Sequence, residues 1–337
     1  MKNSRFNEQD IRPEEYRKDF KKALSADIAA LSAKKGGFID VPCPACGKNN
    51  SDFAFEKFSF RFEACRDCHT AYMNPRATLD ILQDFYEHSQ VYEYWNKFIF
   101  PASESARREK IVKPRVRRIL EICDKFGVPT NCLVEVGAGF GTFCEEVKST
   151  GKFVKVIALE PTPALAASCR NRGIETIEDF VENIRLLETP PDAVVAFEVI
   201  EHLFSPEEFL KNCRRLMAPG AIIAVTCPNF KGFDISTLGI VSKSIDQEHV
   251  NLFNPASLRI LFERVGFEVL ECFTPGELDA DIVRNKILAG EYDVSSQPFL
   301  KTILIDRWNE LRAEFQKFLK ENNLSSHMWL VARNPYE

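Results

Sequence analysis

From residue 132 onward the apolar positions fall into two alternating rhythms. Unbroken runs such as "CLVEV", "VKVIALE", "DAVVAF" and "AIIAVT" read as strands buried on both faces. Between them "TFCEEVKST", "PALAASCRNRG", "SPEEFLKNCRRLM" and "PASLRILFERVG" carry apolar residues at helical spacing, and "IETI" and "FEVLECF" add two further strands. This alternation predicts an α/β chain with a doubly wound parallel sheet. Upstream, "FAFEKFSFRFEA" alternates apolar and polar residues as a half-buried hairpin does. Residues 13–35 read as one amphipathic helix stopped by Gly36 and Gly37, and "TLDILQDFYEHSQVYEYWNKFIFP" and "RREKIVKPRVRRILEICDKF" as helices leading into the sheet. The first of these is dense in aromatics, which suits a packing seam or a lid. Residues 275–324 exceed what a connection needs and read as two helices, suited to a pocket wall, a dimer interface or a packing cover. The expected organisation is a helical segment over 1–37, a hairpin module over 38–76, a helical linker or lid over 77–127, and a sheet domain over 128–337 with its insert at 275–324.

The 337 residues are 45% hydrophobic, enough for one large core beside a smaller module. A formal net charge of -5 gives no global attraction for nucleic acid or an anionic membrane. No apolar run approaches the roughly 18–20 residues of a membrane span, and the N-terminal stretch lacks the apolar core of a signal peptide. The expected location is cytoplasmic, and most of the 11 cysteines, lying in core segments, read as reduced thiols. Four differ. "CPAC" (Cys43, Cys46) and "CRDC" (Cys65, Cys68) are paired knuckles whose thiolates can close a tetrahedron around Zn²⁺, with iron as the rival metal. No βαβ pattern surrounds them to favour a redox role. The hairpin between them makes the module a zinc ribbon. Gly47 follows the first pair; His69, at the equivalent place after the second, reads as an unrelated surface residue, with a strained positional substitute for such a glycine as the alternative.

In "VEVGAGFGTF" the glycines Gly137, Gly139 and Gly141 recur at every second position, which departs from the G-x-G-x-x-G of dinucleotide sites. Glu135 just ahead of them would repel a pyrophosphate and favours a cationic ligand. S-adenosylmethionine, with an ammonium, a sulfonium and no phosphate, fits, and Glu160 after the next strand offers two acceptor oxygens for ribose hydroxyls. By contrast, Ser205, Pro206 and Glu208 in "SPEEF" are explained by helix initiation alone.

The ordered series "VEVGAGFGTF", "LEP", "IEDF", "FEVIEHL" and "LMAPGAIIAVTCPN" resembles the motifs of class I S-adenosylmethionine-dependent methyltransferases. The resemblance implies a seven-stranded Rossmann-like sheet with an antiparallel final strand, for which "SHMWLVAR" is suited. It also implies that Asp179 and Phe180 edge and face the adenine. The E-x-x-E-H of Glu198, Glu201 and His202 resembles ubiquinone-pathway O-methyltransferases and plant small-RNA 2′-O-methyltransferases, where such residues hold a divalent metal with a further histidine. His249 in "DQEHVNLF" would be that histidine, and the metal Mg²⁺ or Mn²⁺. The alternatives are His202 or His249 as a metal-free base, or a structural role. His88 and His327 suggest no role.

A zinc ribbon ahead of such a domain is similar to bacterial methyltransferases of polysaccharide and nucleotide-sugar pathways. That implies O-methylation of a sugar or nucleotide-sugar precursor. Sugar C-methylation and RNA methylation with the ribbon as the RNA grip are the alternatives, and an oligomer is left open.

Overall fold

The computed structural model describes residues 6–336. Its centre is a sheet of strands β4 (Cys132–Val136), β5 (Lys155–Leu159), β6 (Glu175–Ile177), β7 (Ala193–Phe197), β8 (Ile222–Pro228), β10 (Glu268–Phe273) and β11 (His327–Arg333). The three strands β1 (Ser51–Lys57), β2 (Phe60–Cys65) and β3 (Ala71–Met73), together with the short β9 (Asn251–Leu252), form a second sheet. In the large sheet the order is β10-β11-β8-β7-β4-β5-β6. β6, β5, β4, β7 and β8 run parallel, whereas β11 is antiparallel to both β8 and β10. This is the Rossmann-like, seven-stranded methyltransferase sheet that the motif series implies.

The continuous apolar runs are explained by burial on both faces. Val134, Val136, Ile157, Val194 and Ile223 pack against Phe209, Leu210, Leu258 and Phe262 of helices Pro206–Leu216 and Pro255–Val265. Leu133, Ala158, Val195, Ala224 and Val331 pack on the other side against Ile119, Ile122, Phe143 and Val147 of helices Lys113–Phe126 and Thr142–Ser149. All five residues of β4 are buried. The chain leaves β4 toward β5 on one side, while β7 pairs on the other. The strand order therefore reverses at β4, and the crevice beyond its carboxyl end is where such sheets bind ligands.

Residues 90–126 form one helical run rather than two separate helices, with π turns at Trp95–Ile99 and Arg108–Val112. Each π turn immediately precedes a segment that opens with a proline, Pro101 or Pro114. A proline lacks the N–H and crowds the carbonyl one turn earlier, and the wider turn accommodates both defects without ending the helix. In the insert, Ala280, Val283, Ile303 and Leu304 make a small core of their own with Leu238.

The four cysteine sulfurs converge: Cys43 and Cys68 Sγ stand 3.5 Å apart, as do Cys46 and Cys65. Ligands held at about 2.3 Å in a tetrahedron would be about 3.8 Å apart, so this four-cysteine cluster fits a small zinc site. His69 takes the second of its two readings, the strained positional substitute, rather than the first. Its φ is 58°, against 74° for Gly47, and its N–H donates to Cys65 O at 3.0 Å as that of Gly47 donates to Cys43 O at 2.9 Å. Both positions close a knuckle in left-handed backbone, and His69 bears the Cβ cost that glycine avoids. His69→Gly should therefore be neutral or stabilising by about 0.5–1 kcal/mol in urea denaturation, with bound metal unchanged. Loss of metal in that variant would instead make His69 a ligand.

Candidate active site

Three positive-φ glycines turn the chain out of β4: Gly137 at 74°, Gly139 at 56° and Gly141 at 73°. A Cβ on Gly137 would meet Val199 Cγ2 at 2.7 Å, and one on Gly141 would meet Cys169 Sγ at 2.9 Å. Gly139 faces open space, so only its backbone conformation asks for glycine there. Glu160, past the end of β5, ties the turn down: one carboxylate oxygen accepts from Gly139 N at 2.7 Å and the other from Thr162 N at 3.0 Å. Each oxygen keeps a further lone pair for a hydroxyl donor.

Glu135 sits beneath the turn, 4% exposed, accepting from Cys144 Sγ at 3.1 Å. Burial pushes its carboxyl up to about 8, partly offset by the Cys144 hydrogen bond and the charge of Arg115. A cation bound nearby would reverse that shift. The hydroxyl of Thr142, at the start of the following helix, is buried without a protein partner. Asp179 accepts from Phe180 N and Asn183 Nδ2 at 2.8 and 2.6 Å, and the Phe180 ring is left exposed. From the helical run over residues 90–126, Phe100 stacks on Phe140 of the glycine turn, with centroids 4.0 Å apart and planes within 7°.

Beyond β7 the chain bends at Glu198, whose φ is 56°, and then makes a short 3₁₀ turn over Ile200–His202. Glu198 Oε1 accepts from Thr226 Oγ1 at 2.6 Å and Arg115 Nη2 at 2.9 Å, and His327 Nδ1 lies 3.5 Å away. Burial would raise this carboxyl, but His327, Arg115 and the Thr226 hydrogen bond hold it down at about 2. Glu201 has the opposite setting. Neither of its buried oxygens has a partner, and burial and the charge of Glu198 push its carboxyl well up.

Glu201, His202 and His249 each offer one ligand atom within 4.8 Å of the others. The two imidazole centroids are 4.7 Å apart. His249 Nδ1 donates to Ser244 O at 2.9 Å, which leaves Nε2 as the ring nitrogen outside that bond. His202 is neutral, lowered to about 3 by burial and by His249, and its Nδ1 is buried without a partner. The two unpartnered oxygens of Glu201 and the unpartnered Nδ1 of His202, with His249 within reach, make a donor set of the kind that holds a divalent cation. Glu198 does not join this group, because its oxygen is engaged by Arg115, Thr226 and His327 instead.

Arg115, Thr226 and His327 are the site residues that the sequence reading passed over. His327 was legible in principle: an antiparallel strand begins where its parallel neighbours end, and His327 pairs opposite Pro228 at the end of β8.

A family model described as a methyltransferase domain matches residues 104–272, from the helix Phe100–Arg107 to β10. The chain belongs to this family, as a class I S-adenosylmethionine-dependent methyltransferase domain. It is 29% identical over 139 residues to a Mycolicibacterium smegmatis protein named "Probable S-adenosylmethionine-dependent methyltransferase", covering 41% of this chain and 52% of that protein. The ubiquinone biosynthesis O-methyltransferase of Maricaulis maris is 28% identical, with coverages of 35% and 52%, so the chain spans about half the length of these curated relatives. That of Rhodopseudomonas palustris is 26% identical over 232 residues, 64% of this chain and 82% of the relative. Among solved structures, a SAM-dependent methyltransferase of Archaeoglobus fulgidus is 20% identical with a TM-score of 0.45, covering 70% of this chain and 100% of that one.

The raised carboxyl of Glu135 has a measurable consequence. Its proton is held to about 8 in the fold and released near 4.5 in the unfolded chain. The stability it carries is complete below about 4.5 and is lost as pH rises through about 8. Glu135→Gln should raise the Tm of the ligand-free protein more at pH 9 than at pH 5, by thermal denaturation at the two values. An equal gain at both would mean that this carboxyl is ionised throughout.

Proposed function

We propose that the protein is an S-adenosylmethionine-dependent O-methyltransferase whose acceptor is a hydroxyl of a sugar or nucleotide-sugar precursor. The observation that carries the chemistry is the Glu201, His202 and His249 cluster, with its orphaned buried donor atoms, beside the glycine turn. In this reading Gly137, Gly139 and Gly141 admit the donor's backbone-facing side, Glu160 takes its ribose hydroxyls, and Asp179 and Phe180 border its adenine. Glu135 supplies negative charge beneath its ammonium. Glu198, fixed by Arg115 and His327, keeps an anion beside the sulfonium.

An oxygen nucleophile must shed its proton to attack a methyl group in line. His202, lowered to about 3, is too weak a base to do this near pH 7, which favours the cation reading over His202 as a metal-free base. Glu201, His202 and His249 would hold Mg²⁺ or Mn²⁺. Such an ion, when bound, acidifies and orients a coordinated hydroxyl. His249 remains the residue that would take the proton without metal, its Nε2 lying outside the bond by which Ser244 fixes the ring.

A polyhydroxylated acceptor suits the surroundings. Tyr92 and Glu248 are hydrogen-bonded beside the cluster, and Asp246 lies 3.4 Å from His249 Nδ1. The relatives named as O-methyltransferases agree with oxygen as the acceptor atom. The RNA alternative is disfavoured by the ribbon itself, where Lys48 pairs with Asp67, Arg61 with Glu63, and Arg66 with Asp52. Lys57 is turned inward, donating to Ser242 O at 2.6 Å. The four-cysteine site is read as zinc, in a protein working in the reducing cytoplasm. Among the described residues no helix is long and apolar enough to cross a membrane.

The test is methyl transfer from S-adenosylmethionine to a panel of nucleotide sugars, capsule precursors and RNA, followed by mass spectrometry with EDTA and with restored Mg²⁺ or Mn²⁺. A methylated sugar that disappears with chelator and returns with metal, while the zinc content stays constant, is the expected result; methylated RNA alone would replace the substrate class. Glu160→Ala should weaken S-adenosylmethionine binding by about 10- to 100-fold in calorimetry. His202→Ala should leave that affinity within about twofold and lower turnover by about 100-fold or more. The opposite pattern would exchange the two assignments.

A further inference from the structure

The ribbon's sheet is completed by a strand that belongs to the catalytic half of the chain. β9 pairs with β3, Ala71 opposite Leu252 and Tyr72 opposite Asn251, and Met73 N donates to Val250 O at 3.0 Å. β9 begins two residues after His249. The ribbon's last strand thus has, as its neighbour, the segment that carries one member of the cluster.

The Asn251 side chain reaches the other two members. Its Nδ2 donates to Leu203 O at 2.7 Å, with Ile200 O at 3.3 Å and Glu201 O at 3.4 Å, so one amide grips the turn that presents Glu201 and His202. Its Oδ1 accepts from Arg76 Nη1 at 2.9 Å. Arg76 is 1% exposed and also donates to Met73 O and Phe204 O, both at 3.2 Å, and to Val250 O at 3.5 Å. Its hydrogen bonds go to carbonyls of the ribbon, of β9 and of the chain just after the His202 turn. With its water already removed, this buried guanidinium depends on these protein acceptors, so a poorly closed junction that left it dry and unpaired would be costly. Asn254 adds a second tie, donating to Cys68 O and His69 O at 3.1 Å while its Oδ1 caps the helix Pro255–Val265.

We propose that the four-cysteine ribbon is the positioning device of the active site, and that Asn251 and Arg76 are the positioning residues through which the closed knuckles set Glu201, His202 and His249 at their mutual distance. This rests on the function proposed above. It gives the ribbon a task inside the enzyme: metal closure of Cys43, Cys46, Cys65 and Cys68 fixes β2 and β3, β3 fixes β9 and Arg76, and these fix the two halves of the cluster. Neither Asn251 nor Arg76 is assigned a contact with donor or acceptor.

The experiment uses Asn251→Asp in the full chain. The aspartate keeps an acceptor for Arg76 but removes the donor to the three carbonyls of the turn. Three readouts separate positioning from folding: bound zinc by elemental analysis, S-adenosylhomocysteine affinity by calorimetry, and the imidazole signals of the five histidines by nitrogen NMR. The expected result is unchanged zinc, affinity within about threefold of the parent, an undisturbed His88, and shifted or broadened His202 and His249 signals. A zinc-free Cys43→Ser, Cys46→Ser variant should disturb the same two histidines, and the Asn251→Asp result decides the matter should that variant not fold. With an active acceptor, kcat of Asn251→Asp should fall about 10- to 100-fold with KM for S-adenosylmethionine little changed. Parent-like His202 and His249 signals in Asn251→Asp would overturn the proposal. Failure of the parent to bind S-adenosylhomocysteine would instead overturn the function on which it rests, a separate outcome.

Discussion

Glu198 and Glu201 leave the end of one strand three positions apart, Glu201 buried and Glu198 with 40% of its side chain exposed, and two neighbouring carboxylates so differently placed do not ionise with equal ease. The fold separates them. Glu198 pairs with a guanidinium from the helix Lys113–Phe126, accepts from a hydroxyl of β8 and stands beside an imidazole of β11, and is held ionised at about 2. Neither oxygen of Glu201 has a hydrogen-bond partner, and although the charge of Arg115 reaches it, burial and the charge of Glu198 drive it toward its neutral form. The helix Lys113–Phe126, β8 and β11 each have to stand where they do for this division to hold. The left-handed backbone of Glu198 is part of the same arrangement, since its N–H donates to Thr226 O at 3.0 Å while its side chain meets the Thr226 hydroxyl. Strain of this kind persists only where surrounding contacts over-determine it.

The helical run over residues 90–126 is held in two ways with different physical character. Toward the interior, Phe100 lies flat on Phe140, Arg107 covers Trp95 at 5.1 Å, and Arg115 covers Phe197 at 4.6 Å. Toward solvent, Arg108 forks between Glu104, Glu145 and Glu146, and Arg172 joins Glu104 to Glu145. Salt screens the second set and scarcely touches the first. The attachment of this helical run near the glycine turn therefore draws on ring contacts, and the ion pairs govern chiefly how its outer face sits on the neighbouring helices.

Much of the architecture was legible because it depends on local pattern. Strands buried on both faces announce themselves as unbroken apolar runs, and paired C-x-x-C knuckles by spacing alone. The equivalence of His69 with Gly47 is legible in the spacing, which shows the place a residue holds but not that the place demands left-handed backbone. Partners joined over long separations were not legible. Arg115 lies 83 positions from Glu198, and Arg76 lies 175 from Asn251. β9, with two residues, is too short to display any periodicity. Glu198 was grouped with Glu201 and His202 because their spacing allows convergence. The counter-charges that draw it aside come from segments whose proximity only the folded sheet creates.

The distance in sequence between Arg76 and Asn251 also orders events during synthesis. At roughly 5–20 residues per second, the ribosome needs roughly 10–35 s to add the 175 residues that separate them. Throughout that interval the nascent ribbon holds all four cysteines but lacks its fourth strand, and the guanidinium of Arg76 must stay hydrated or borrow another partner. Metal capture can thus come early and local, while burial of Arg76 waits for a segment made much later. The buried arginine is in that sense a timing mark, recording the moment at which two separately made parts of one polypeptide become a single body.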